Sequence, residues 1–254
     1  MEKNEIVYGR NSVEALLEAS KRRVNKLYIV KGIKFDNKIR KIVDLAKNNN
    51  IPVQEIPKEK LNQIAEGSHQ GIAASVSPIS YVEFDELLMK LKNIDKALVI
   101  ILDGVEDPHN LGSIIRTAVA AGADGIIIPK RRSTPVTATV DKASAGTVEK
   151  IPIVQVTNIV NTIEKLKENN FWIFGAESTG EQYYFEADYK VNCGLVVGGE
   201  GQGVSTLVKK HCDVLIKIPM PGKINSLNVA NAASIIIYEI VRQRLSQGTL
   251  TQPK

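Results

Sequence analysis

Only two cysteines occur in the 254 residues, Cys193 and Cys212, and they form no CxxC pair. That excludes a disulfide scaffold and a CxxC-type zinc site. The three histidines, His69, His109 and His211, stand too far apart in sequence to resemble a zinc triad, so no metal is expected. No apolar run approaches the roughly 18 residues that a membrane span needs. The first residues, Met1 to Glu5, carry no apolar signal core. A cytoplasmic location without membrane contact is therefore expected. Aromatics make up 5% of the chain, too few for extensive base stacking. What is present is ordinary for a soluble globular protein: 43% hydrophobic and 24% charged residues, with enough chain for one large domain or two small ones.

The net charge is +5, and its excess lies early in the chain. Residues 1–60 hold 14 basic against 8 acidic side chains. Lys21, Arg22, Arg23 and Lys26 cluster first, then Lys31, Lys34, Lys38, Arg40 and Lys41. Phosphate backbones reward such density, because each neutralised phosphate releases condensed counterions. A solvated helix face explains the same pattern equally well on charge alone.

Two halves differ in rhythm. Residues 1–77 read as a small α/β unit, with a helix start at Asn11-Ser12 and a second helix over Ile39, Ile42, Val43 and Ala46. Strands are expected at Leu27–Val30, Ile51–Ile56 and Ile72–Val76. Residues 78–96, with a charged helical pattern running to Lys96, read as a connector. From Ala97 to the end at 254, strand-like runs alternate with helical patterns at about 112–121, 136–145, 158–169, 204–210 and 227–245. Strict alternation predicts a parallel sheet covered on both faces, with ligands beyond the carboxyl ends of its strands.

The common nucleotide signatures fail. The run from Gly198 to Gly203 follows a strand, but Thr206 stands where a GxGxxG fingerprint needs its last glycine. Gly222-Lys223 is followed by Ile224, so there is no Walker A loop, and no GxSxG elbow occurs. Three loops nonetheless carry chemistry. The first runs from Leu102 to Thr117, where a strand ends and a helix begins near Asn110. Asn110 and Arg116 are six apart, about 240° around a helix, so they share a site only if Asn110 acts from the cap. Arg116, among Ile114, Ile115, Ala118 and Val119, is expected to be partly buried. The second, Gly198-Gly199-Glu200-Gly201-Gln202-Gly203, is glycine-rich directly after a strand, which points to close backbone approach. The third runs from Ile218 through Met220, Ser226, Leu227 and Asn228 into a small-residue helix, with Ser226 as its expected N-cap.

In this order and spacing, the three loops resemble the three motifs of the SpoU (TrmH-type) RNA ribose 2′-O-methyltransferases. The matching runs are Asn110-Leu111-Gly112-Ser113-Ile114-Ile115-Arg116, Gly199-Glu200-Gly201-Gln202-Gly203, and Ile218-Pro219-Met220 through Ser226-Leu227-Asn228-Val229. Tyr8-Gly9-Arg10-Asn11-Ser12-Val13 and His69-Gln70-Gly71 are similar to the family's accessory substrate-binding domain. The resemblance is nearest to the subgroup that methylates a guanosine ribose in large-subunit (23S) rRNA. A tRNA ribose methyltransferase, or a non-catalytic RNA-binding or assembly protein on the same scaffold, are the alternatives.

The resemblance implies an α/β fold that periodicity cannot show: a parallel-sheet SPOUT domain whose C-terminal segment forms a deep trefoil knot, working as a homodimer. It implies S-adenosyl-L-methionine as cofactor, held by Gly198, Gly199, Gly201, Ile218, Met220 and Leu227, largely through backbone groups. It makes Arg116 the group beside the 2′-hydroxyl, Asn110 the orienter of Arg116 or of the ribose, and Glu200, Ser226 and Asn228 the shapers of the target pocket. A guanidinium stays protonated, which favours stabilising a developing alkoxide over base action. The N-terminal unit would bind RNA, most simply rRNA, through Arg10, Arg22, Arg23 and Lys26.

Overall fold

The computed structural model describes residues 4–65 and 67–246, which divide into two compact units. The first unit comprises the chain up to Ser80 together with Val136–Lys150, and the second comprises Tyr81–Pro135 and the chain from Ile151.

The first unit begins with β1 (Glu5–Tyr8), α1 (Arg10–Ala19), β2 (Val24–Val30), α2 (Asn37–Asn48), β3 (Val53–Ile56), α3 (Lys58–Ile64) and β4 (Ile72–Val76). Its sheet has the order β1-β4-β2-β3, with β4 antiparallel to both neighbours and β3 parallel to β2. The apolar stripe of α2 is where periodicity places it, with Ile39, Ile42, Val43 and Ala46 all buried. Asp36 caps that helix, its carboxylate accepting from the amides of Lys38 and Ile39. The start of α1 differs from expectation: Gly9 is the cap and gives no side-chain bond.

The second unit opens with α4 (Phe84–Leu91), β5 (Leu98–Asp103), α5 (Pro108–Ala120) and β6 (Gly125–Pro129). The charged helical pattern in the stretch read as a connector is α4, which is packed, with Leu87 and Leu91 buried in the second core. After α6 (Ala138–Ala143), which belongs to the first unit, come β7 (Ile153–Val156), α7 (Ile159–Lys167), β8 (Phe171–Ala176), β9 (Gln182–Tyr183), β10 (Asn192–Gly198), α8 (Thr206–Lys209), β11 (Val214–Lys217) and α9 (Val229–Leu245). The sheet order is β7-β6-β5-β10-β8-β11-β9, and every described pairing is parallel. The central strands β5 and β10 are buried almost throughout, which is why they read as unbroken apolar runs.

Sequence order gave no hint that residues 136–150 leave the second unit. They pack on α1, where a Cβ on Gly146 would lie 2.7 Å from the Ala15 Cβ and 2.9 Å from the Ser12 Cα. A buried charge cluster fastens them. Arg22 bonds Glu5 at 2.7 Å and Glu149 at 3.3 Å, and its Nη1 lies 3.9 Å from Asp141. Three carboxyls thus meet one guanidinium, and neither side-chain oxygen of Asp141 has a hydrogen-bond partner among the described residues. Burial, reinforced by Glu149, pushes the Asp141 carboxyl up to about 7 from 3.8.

The folded chain consequently holds that proton more tightly than the unfolded chain does. The buried carboxyl costs nothing below the unfolded pKa, and its cost grows as pH rises from about 4 to 7. Asp141→Asn should stabilise the protein by roughly 1–3 kcal/mol above pH 7, with the gain vanishing towards pH 4. Thermal melts across this pH range check it; a constant or reversed difference would contradict the assignment.

Candidate active site at the carboxyl ends of the second sheet

The chemistry gathers where β5, β8, β10 and β11 end. After β5, Asp107 caps α5 by accepting from the Asn110 amide at 2.8 Å, with Pro108 at the first helical position. Asn110 is thus inside the first turn and not the cap, and its side chain is free to leave the helix. Its Nδ2 donates to Glu200 Oε1 at 2.7 Å. Asn228 Nδ2 donates to Asn110 Oδ1 at 2.9 Å and to Glu200 Oε1 at 3.1 Å. One residue from each of the three loops therefore closes a polar ring.

Asn228 does a second task. Its Oδ1 accepts from the amides of Ala230 and Asn231, so it is the N-cap of α9. That role was expected of Ser226, which instead lines the neighbouring cavity, two residues outside the cap. The amide group of Asn228 explains the difference: its oxygen caps while its nitrogen still donates, which a hydroxyl does less completely.

The glycine loop after β10 is held by backbone contact. A Cβ on Gly198 would sit 1.9 Å from the Gly203 carbonyl carbon, and one on Gly199 would sit 2.1 Å from the Gly104 oxygen. Asp103 ties the loop from below, its carbonyl accepting from Gly199 N at 2.9 Å and its carboxylate from Ser205 N at 2.8 Å. The result is a cavity of about 480 Å³, within the range of roughly 300–1,000 Å³ usual for small-molecule sites. Gly198, Gly199, Gly201, Ile218, Met220 and Leu227 all line it, as do Glu200, Ser226 and Asn228.

Arg116 does not line it. The expectation of partial burial fails: Arg116 lies on the exposed side of α5, while Ile114, Ile115 and Ala118 take the buried side. With α5 beginning two residues before Asn110, helical spacing turns the guanidinium away from the turn that carries Asn110. A flank of α5 next to Arg116 packs on α9, with the Thr117 and Ser234 hydroxyls 3.1 Å apart.

The family model for the SpoU rRNA methylase family matches residues 97–238, and that for RNA 2′-O ribose methyltransferase substrate binding matches 6–82. The chain belongs to the SpoU family. A Staphylococcus saprophyticus protein named for the TrmH family of tRNA/rRNA methyltransferases is 48% identical over 240 residues, covering 94% of this chain and 96% of its own. The SpoU methyltransferase AviRb from Streptomyces viridochromogenes superposes with TM-score 0.81 at 25% identity, covering 97% of this chain and 92% of its own. An AdoMet-bound rRNA methyltransferase from Sinorhizobium meliloti does so with TM-score 0.78 at 25% identity, covering 94% and 87%.

This SpoU protein is thus an RNA methyltransferase, and its site contains residues that no motif marked. Glu177, directly after β8, lines the cavity with its side chain 8% exposed, paired with Lys209 at 2.6 Å. Ala176, Ile216, Asn225, Ala232 and Ile236 line it too. Strand ends were the available signal, since β8 stops at Ala176, but the loop after β8 has a single glycine, Gly180, and no recognisable motif.

On the RNA side, the four residues expected to contact RNA differ in their surroundings. Arg22 is buried in the charge cluster, and Arg10 is engaged by Asp36 and by the Gln70 carbonyl. Arg23 is exposed and Lys26 half-buried.

Gly198→Ala should cost about 3 kcal/mol or more, or prevent folding, because backbone on both sides must move. Gly222→Ala, with nothing within 4 Å of the added Cβ, is the matched control and should leave the melting temperature nearly unchanged. Equal melting temperatures for the two variants would refute the close-packed loop.

Proposed function

We propose that this protein transfers a methyl group from S-adenosylmethionine to the 2′-hydroxyl of a guanosine ribose in large-subunit (23S) rRNA, as a cytoplasmic homodimer with a trefoil-knotted second unit. The observation that carries the reading is the Asn110–Glu200–Asn228 ring beside a glycine-walled cavity, with a substrate-binding unit on the same chain. Coverage of 94% of the chain by a structure named as an rRNA methyltransferase supports rRNA as the substrate. No described helix is long and apolar enough to cross a membrane.

The cavity suits the cofactor on structural grounds. Side chains at 198 and 199 would collide with backbone, so main-chain groups face the space, while Ala176, Val197, Ile216 and Leu227 supply apolar walls for a purine. Bound there, the cofactor supplies a methyl group already activated by a sulfonium charge. The chain must then align the hydroxyl and take charge of its proton. Alignment can be worth roughly 7–11 kcal/mol. Asn110 and Asn228 orient one another and Glu200 Oε1, which fixes the carboxylate at the cavity's edge; Ser226 adds a hydroxyl to that wall.

Arg116 acts across the dimer. It faces outward on α5, and the outer face of α9 exposes Ile235, Tyr238 and Leu245 at helical spacing, an apolar stripe suited to a second copy. Its guanidinium, entering the cavity of the other subunit, stabilises the developing alkoxide and holds an adjacent phosphate.

Arg116→Ala should reduce methyl transfer to unmodified rRNA by about 1,000-fold or more while cofactor affinity stays within twofold. Mixing the Arg116→Ala and Glu200→Ala proteins should restore activity, because a mixed dimer holds one intact site. Near-normal turnover of Arg116→Ala would sink its role, and failure of the mixture to recover would sink action across the dimer.

A further inference from the structure

Tyr8 on β1 and Tyr28 on β2 both pair with Ala73, which lies between them on β4. Residues in one cross-strand row share a face, so the two tyrosines stand on the same side of the first sheet. The other face, with Val7, Leu27 and Ala74, is buried in the core formed with α1 and α2. Both rings are half-buried against Ile56, Leu61, Ala65 and Ala73. Packing therefore fixes their positions while leaving part of each at the surface.

An ammonium stands over each ring. Lys142 Nζ lies 5.7 Å from the Tyr8 centroid and Lys26 Nζ 6.0 Å from that of Tyr28. Among the described residues neither ammonium has a carboxylate within 4.0 Å; Lys26 Nζ donates to Gln54 Oε1 at 3.3 Å. The rest of the two rows consists of Gln54, Ile6 and Ser75, so no carboxylate shares them. Lys58 and Lys142 also reach His69, whose imidazole is held below its ordinary range by burial first and by these cations second.

This distribution differs from the basic run in the sequence. Arg22 and Arg10 are consumed in ion pairs, and Lys38 and Lys41 pair with Glu14, with Glu18 also on Lys41. The cations left over the rings come from β2 and, for Lys142, from the segment that leaves the methylase half of the chain to join the first unit. A sheet face with aromatic rings held in place and, among the described residues, lysines outside any ion pair matches one ligand chemistry well: an unpaired nucleotide, whose base has a π-face and whose phosphate carries charge.

We propose that Tyr8, Tyr28, Lys26 and Lys142 form a platform on which an unpaired base of the RNA substrate stacks, with the lysines engaging its flanking phosphates. This rests on the RNA methyltransferase reading above and adds where the first unit holds a single-stranded nucleotide. Stacking is tolerant of base identity, so the platform contributes affinity and register more than sequence choice.

The test is fluorescence anisotropy with a 12-nucleotide oligoadenylate and with unmodified 23S rRNA transcript, over a range of potassium chloride. Tyr8→Leu/Tyr28→Leu, which keeps apolar packing and removes the rings, should weaken both complexes about tenfold with an unchanged salt slope. Tyr8→Phe/Tyr28→Phe, which keeps the rings, should stay within twofold. Lys26→Met and Lys142→Met, on half-buried side chains, should each lower the salt slope by about 0.7. In methyl transfer the Leu pair should raise KM for RNA and leave kcat and cofactor affinity unchanged. Leu variants with wild-type melting temperature and wild-type RNA affinity would overturn the platform, as would full salt slopes in both Met variants. If those variants bind normally while the wild type transfers methyl groups, only the platform falls. If the wild type transfers none but the Leu pair still loses RNA affinity, the enzyme reading falls and the platform stands.

Discussion

Backbone meeting backbone at Gly198 and Gly199 is the constraint on which the second unit depends. Side chains there would occupy the space of the Gly203 carbonyl and the Gly104 oxygen. Because both contacts join main chain to main chain, no rotamer change relieves them. The first folds the glycine loop back on the end of β10, the second sets that end against the turn after β5, and Asp103 bonds the loop at two points. Glu200 is carried by that loop, so its place beside Asn110 follows from glycines on either side of it.

The polar ring is economical in the same sense. Asn228 begins α9 with its oxygen and reaches Asn110 and Glu200 with its nitrogen. A helix end and a site wall thus share one side chain, and the rigidity of α9 is passed to the ring. The first unit works by a different force. A buried guanidinium collects three carboxyls from β1, α6 and the turn at Thr147–Lys150, an arrangement that is costly to bury but specific in what it joins. Its consequence is that Lys142 lies on the sheet face near Tyr8.

Charge pairing, burial and capping all depend on partners that local sequence does not show. Charge density at Lys21–Lys41 was visible, but whether a cation is available depends on carboxylates distant in sequence: Glu149 for Arg22 and Asp36 for Arg10. The burial of Arg116 was inferred from apolar neighbours, yet those neighbours lie on the other side of α5. Ser226 has the composition of a cap, but the helix begins two residues later, where Asn228 bonds its amides.

By itself the sequence determined the alternation of strands and helices, the parallel sheet and the three loops, while the resemblance to the family pointed to the residues that form the polar ring. These are local or periodic properties, written in apolar spacing, glycine runs and cap chemistry. Tertiary structure alone decided that residues 136–150 join the first unit, that Glu177 walls the cavity, that Arg116 faces outward and that two tyrosines share a row with alanine between them. Each of these depends on contacts between segments far apart in the chain, where packing and charge pairing act through space and leave no periodic trace.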